Sequence, residues 1–188
     1  MKYKGIPFIW QVFGEREEHG TSSGIYPSII VNCHNGNFKG INLSGFVNYL
    51  CGDSSGFNLT GLLNVNEGKT SCNKGVNIAG LVNNLENSKG VNIAGGVNYN
   101  KGRSEGINSS GVGNYSSKVY DFLIQYGTIG NIVKECSRRA FILQIGLFNR
   151  IEDQYCPIVN IKGLKNLLKQ IKKILPKRNK NNLERIVE

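Results

Sequence analysis

One nine-residue phrase, G-h-N-h-(S/T/A)-G-x-x-N with h apolar, constrains this chain more than any other feature. Its clearest copies are GVNIAGLVN from Gly75 to Asn83 and GVNIAGGVN from Gly90 to Asn98. Good copies also start at Gly40 and Gly56, a weaker one at Gly106, and a degraded one at Gly24 (GIYPSIIVN). Successive starts are 16, 16, 19, 15 and 16 residues apart, and the length varies only in polar linkers after the second Asn. A constant phrase with a variable polar linker is a structural unit followed by a surface loop. Register drifts after Tyr115, with a decayed copy over Phe122 to Asn131. Phe141 to Asn149 returns to a copy one residue short, with Gln144 in place of the first Asn.

A period near 16 is too short for a two-helix repeat. β-branched residues dominate the apolar positions and favour strand. In an extended segment Val76 and Ile78 point one way, Asn77 and Ala79 the other. Two architectures meet the pattern. In a short β-solenoid each copy is one coil of about 16 residues, with glycines at corners and like residues stacked. Asn42, Asn58, Asn77, Asn92 and Asn108 then form one inward ladder, and Asn48, Asn64, Asn83, Asn98 and Asn114 a second. Their amides hydrogen-bond along the stack. In an antiparallel β-meander or barrel each copy is one strand and the linkers are hairpin loops. The solenoid is favoured, because only parallel stacking of identical ordered phrases sets like beside like throughout. The expected class is therefore mainly β.

The flanks differ. Residues 1–23 read as a lead-in, with Ile6 to Phe13 a strand, Glu15 to Ser23 a polar connection, and Trp10, Phe8 and Phe13 covering the open end of the stack. The repeat domain spans 24–150. Residues 151–188 read as a basic amphipathic helix and tail, reached through a connection over residues 150–163. Leu164, Leu167, Leu168, Ile171, Ile174 and Leu175 recur at helical spacing, and Pro176 ends the pattern. Of the formal net charge of +10, residues 154–188 carry +7 (nine Lys/Arg, two Glu). The candidate contacts to an anionic partner are Lys165, Lys169, Lys172, Lys173, Lys177, Arg178 and Lys180. An anionic membrane surface fits this segment. Nucleic acid fits less well, for want of stacking aromatics. Packing as a cap on the stack is the third use for the same apolar stripe, and a protein partner remains open.

Little else points to chemistry. The five cysteines are odd in number, and the start Met1–Phe13 lacks a signal-peptide cleavage pattern, so reduced thiols and a cytoplasmic or membrane-peripheral location are expected. Cys33-His34, with Cys51 and Cys72 after the second Asn of their copies, is the one candidate metal-ligand set that stacking would gather along one edge. The repeat-region carboxylates, Asp53, Glu67, Glu86 and Glu105, all sit in linkers, a weak basis for polysaccharide chemistry. No nucleophile motif or phosphate loop occurs. The expectation is a non-enzymatic structural or interaction module without a cofactor. Its alternatives are a membrane-surface protein held by the basic helix and a β-helical enzyme acting on a polysaccharide or polyanion.

The phrases GVNIAGLVN, GVNIAGGVN, GINLSGFVN and GFNLTGLLN, with Gln144-Ile-Gly-Leu-Phe-Asn149, resemble the tandem units of leptospiral-type bacterial surface repeat-containing proteins. The likeness covers residues 24–115 and 141–149. It implies a cell-surface role and transfers no functional residue. This chain departs from that pattern in using Asn where the family mostly has Gln.

Overall fold

The structure is a computed structural model. It describes residues 11–68 and 71–164, with side chains from residue 23. Among the described residues thirteen strands form one coiled sheet, and every pairing is parallel except the last. The chain is a β-solenoid of about 7 turns. One face is built from residues 38–44 of β1 (Gln11–Ser44), then β3 (Ser54–Thr60), β5 (Cys72–Ala79), β7 (Asn87–Ala94), the end of β8 (Val97–Ser110) and β10 (Phe122–Gly127). The other is built from residues 31–35 of β1, then β2 (Val47–Cys51), β4 (Leu63–Glu67), β6 (Val82–Leu85), the start of β8, β9 (Gly113–Val119) and β11 (Gly130–Cys136). β12 (Phe141–Ile151) serves both faces, and its pairing confirms the short copy: Gln144 aligns with Gln125, while Phe148 rather than Asn149 aligns with Gly130.

Both Asn ladders form, and both are interior. Asn42, Asn58, Asn77, Asn92 and Asn108 stand in one register and continue into Gln125 and Gln144. Asn58, Asn77 and Asn92 each donate Nδ2–H to the next Asn Oδ1, at 2.7, 2.8 and 2.7 Å. The second ladder runs longer, from Asn32 to Asn149. From Asn48 to Asn131 each amide donates at least twice, and Asn83 and Asn98 make a further, longer bond to Asn77 O and Asn92 O. One bond goes to the next Asn and the other to a backbone carbonyl on the opposite face of the adjacent coil, as Asn83 does to Asn98 Oδ1 and Ile93 O, both at 2.8 Å. The second bond fixes the separation of the two faces at the reach of one short side chain. Asn, Ser, Thr and Ala fit that gap, and opposed Ile or Leu side chains do not.

The apolar residues consequently point out. Since Asn77 and Ala79 are buried, strand alternation leaves Val76 and Ile78 on the outer surface. Ile41, Phe57, Val76, Val91, Ile107 and Ile124 share one outer register on the first face. Val47, Leu63, Val82 and Val97 share another on the second. Between the faces, at the corner after the second Gly, Phe46, Leu62, Leu81, Gly96, Val112 and Ile129 succeed one another through coil-to-coil backbone bonds.

The sequence drift after Tyr115 has a structural counterpart. In the last coils the interior becomes apolar, with Val119, Leu123, Val133, Ala140, Ile142 and Ile151 packed into one cluster. Two expectations need correction at the ends. Residues 11–23, read in part as a polar connection, belong to β1. Residues 154–162, read as a connection, form β13 (Gln154–Lys162), which lies antiparallel along β12 and covers the outer edge of the stack. An exposed parallel edge is a template for unwanted pairing, and an antiparallel return strand blunts it. The amphipathic helix expected beyond Leu164 lies outside the described residues, as does Trp10 with its neighbour Phe8.

Lys162 of β13 pairs with the Glu152 carboxylate in the preceding turn. That bond holds Glu152 below the usual carboxylate range, against the opposing effect of partial burial. A carboxyl depressed in the folded state adds stability that is complete above its unfolded pKa. The contribution is lost as pH falls through the folded value. Amide exchange in β13, corrected for intrinsic rates, is expected to quicken relative to β5 on acidification through that range. Lys162→Met should remove the acid-dependent part of this difference. An unchanged acid response in that variant would mean that another group pins the strand.

Candidate functional surface

Around each coil the surface has two characters. The linker side, between the end of one repeat and the start of the next, carries the charges. The two faces and the corner between them are apolar.

On the linker side, linker residues are tied to linker residues one coil away. Asn37 Oδ1 accepts from Asp53 N at 3.0 Å, Asp53 Oδ1 from Cys72 N at 2.9 Å, and Asn87 Oδ1 from Arg103 N at 2.8 Å. An open depression is lined by Asn37, Tyr49, Cys51, Gly52, Asp53, Glu67, Gly68 and Ser71. Within it Tyr49 Oη donates to Glu67 Oε2 at 3.0 Å, and Lys101 lies 3.6 Å from Glu67. The phenol of Tyr49 is pushed well above its ordinary pKa, first by its hydrogen bond with Cys51 and then by that with Glu67. A second depression contains Glu105, which is buried and paired with Arg103 and with Lys89 at 3.3 Å. Arg103 also reaches Asp121 at 3.0 Å and covers the ring of Tyr120. The carboxylates of Asp53, Glu67 and Glu105 thus serve as acceptors that tie coil to coil.

The cysteine-histidine set is dispersed. Alternation along β1 sends His34 inward, where its ring packs 5.0 Å from Tyr26 and 5.1 Å from Phe38, and turns Cys33 outward. Cys33 aligns with Tyr49, Cys51 with Asn35 and Glu67, and Cys72 with Asn87, so the three thiols occupy different registers. Among the described residues no group of three or more His, Cys, Asp or Glu side chains is placed to hold a metal ion. Burial raises the Cys72 thiol pKa, and likewise that of Cys136, which disfavours the nucleophilic thiolate.

The apolar surface is what the sequence reading missed. Phe46 and Leu81 are each 50 % exposed, Ile129 is 52 % exposed and Phe148 71 %. These corner residues lie in line along the stack, flanked by the outer Ile and Val ladders. The signal was present in the phrase itself: a residue directly after a corner glycine, beside an inward Asn ladder, has nowhere to point but out. Lys165, Lys169, Lys172, Lys173, Lys177, Arg178 and Lys180 lie outside the described residues. Compared with protein-family models, with curated proteins and with solved structures, the chain matches none of them.

Proposed function

We propose that this protein is a non-enzymatic interaction module: an Asn-stacked rod that offers its outward apolar ladders to a partner. One observation carries the reading. Large apolar side chains stand exposed in register along the corner while the chain buries its amides. Soluble monomers scatter exposed apolar residues singly, and contiguous stripes mark interaction sites. The resemblance to bacterial surface repeats fits such a role.

In detergent-free buffer the full chain is expected to bind the apolar-surface dye ANS or to self-associate. The double variant Phe46→Lys, Val112→Lys should lose both behaviours with little change in melting temperature. A wild-type chain that is monomeric and dye-silent would sink the reading.

A further inference from the structure

We propose that the partner of the apolar corner is an anionic lipid bilayer, into one leaflet of which the corner inserts with the stack axis along the membrane plane. The inference rests on the reading that this corner is a docking surface, and it names what docks there.

The first argument is the state of the backbone at the corner. In hydrocarbon an amide without a partner costs several kcal/mol, so only structures with internally paired backbones are tolerated. Sharp turns usually fail that condition, and this corner meets it. Gly45 N donates to Ser28 O at 3.2 Å, Phe46 N to Ile30 O at 3.0 Å, and Leu81 N to Leu62 O at 3.0 Å. Val112 N donates to Gly96 O at 2.9 Å and Ile129 N to Val112 O at 2.8 Å. The corner presents lipid with side chains and hydrogen-bonded backbone. Its polar side chains are turned inward into the ladders, the apolar-out, polar-in alternation of lipid-facing strands.

The margins supply the second argument. Where the second face meets the linker side, Tyr49, Tyr99 and Tyr115 stand in one register, and Tyr99 and Tyr115 stack at 4.8 Å. Tyrosine at the border of an apolar zone is the arrangement of a membrane interface. On the opposite margin Lys39, Lys74 and Lys89 share a register, just before the first outer apolar residue of each coil. Glu105, the acid in that register, is paired with Arg103 and with Lys89, which leaves Lys39 and Lys74 to reach the headgroups. Lysines so placed extend to anionic headgroups while the apolar face goes deeper.

Size is the third. From the corner at Phe46 the chain runs three residues to the Tyr49 margin and seven back to the Lys39 margin, or about 10 and about 23 Å at about 3.3 Å per residue, spans that bracket the half-thickness of a roughly 30 Å hydrocarbon core. A second copy of the chain fits less well. A projecting apolar corner needs a complementary groove, and the depressions on the linker side are lined by Asp53, Glu67, Glu105 and Arg103.

The test is flotation of the full chain with phosphatidylcholine vesicles containing about a quarter phosphatidylglycerol. The chain is expected to float. The double variant Leu81→Glu, Val112→Glu should bind at least about tenfold more weakly, since each buried charge opposes insertion. A chain lacking residues 165–188 should still float. In a Trp10→Phe background, the tryptophan of L81W should be quenched by acyl-chain bromines, a readout that serves even if the Glu variant folds poorly. Wild-type chain left unfloated, an unquenched tryptophan in L81W, or loss of flotation on removing 165–188 alone overturns the proposal. Dye binding or a discrete dimer without flotation would overturn it too, while leaving the apolar corner as a docking surface for protein.

Discussion

Asn83→Leu is expected to destabilise the protein far more than Leu81→Ala, two residues away, an inversion of the usual hydrophobic order. Asn83 is fully buried, accepts from Asn64 at 3.1 Å, and donates to Asn98 Oδ1 and Ile93 O. Leucine deletes these bonds and leaves polar partners without a mate inside the stack, at about 1–3 kcal/mol for each group stranded. Burying the leucine returns about 2 kcal/mol if it fits, which the short gap between the faces opposes. A net loss of about 2–4 kcal/mol follows, or roughly 5–15 °C in melting temperature for a domain of this size. Leu81 is half exposed at the corner, and its truncation to alanine should cost within about 0.5 kcal/mol. Thermal melts of both variants decide the matter. A larger loss for Leu81→Ala would mean that the corner is covered in the folded protein and the ladder contributes little.

The second large effect is Gly90→Ala, best measured against Gly68→Ala. The two glycines have nearly the same backbone, φ +140° and φ +138°, where any side chain is strained. That strain is worth about 1–3 kcal/mol in either place. They differ in what lies next to them. A Cβ on Gly90 would sit 2.1 Å from Gly75 O, a backbone atom of the coil below that cannot rotate away. A Cβ on Gly68 would meet the Ser71 side chain at 3.3 Å and the neighbouring coil only at Gly52 N, at an ordinary contact distance of 3.8 Å. Gly68→Ala should therefore show the strain alone, whereas Gly90→Ala must also force two coils apart. The expected cost at Gly90 is above about 4 kcal/mol, enough to unfold a marginal protein. In a stack where each coil contacts only its neighbours, the damage should spread from that step. Urea titration and hydrogen exchange read this directly. Equal losses for the two variants would show that stacking at the first glycine is looser than the geometry requires.

Much of the architecture was legible because the repeat is a statement about stacking. The separations along the second ladder, 16, 19, 15 and 16 residues from Asn48 to Asn114, are the spacings of the phrase itself. Even the missing residue in the copy at Phe141–Asn149 appears as a shift of pairing at Phe148. The return strand β13 was not legible. Its sequence, QYCPIVNIK, contains a proline and no copy of the phrase, and its pairing is made with a strand already in place. The apolar packing among Val119, Leu123 and Val133 was hidden for a related reason, since those residues come together only across coils that have left the repeat register.

The sequence by itself determined the period and the alignment of the two Asn ladders, and favoured the parallel order of the coils over an antiparallel meander. Identical phrases stacked in register place each amide one strand spacing from its like, and alternation divides each strand into two sides. Alternation cannot say which side is inside. Tertiary structure decided that, because the amides of the second ladder bond across to the opposite face and set a gap of one short side chain. Asn, Ser and Ala fill that gap, larger side chains such as Phe38, Leu50 and Leu85 are buried nearer the linkers, and the apolar residues of the phrase itself are left to form the surface.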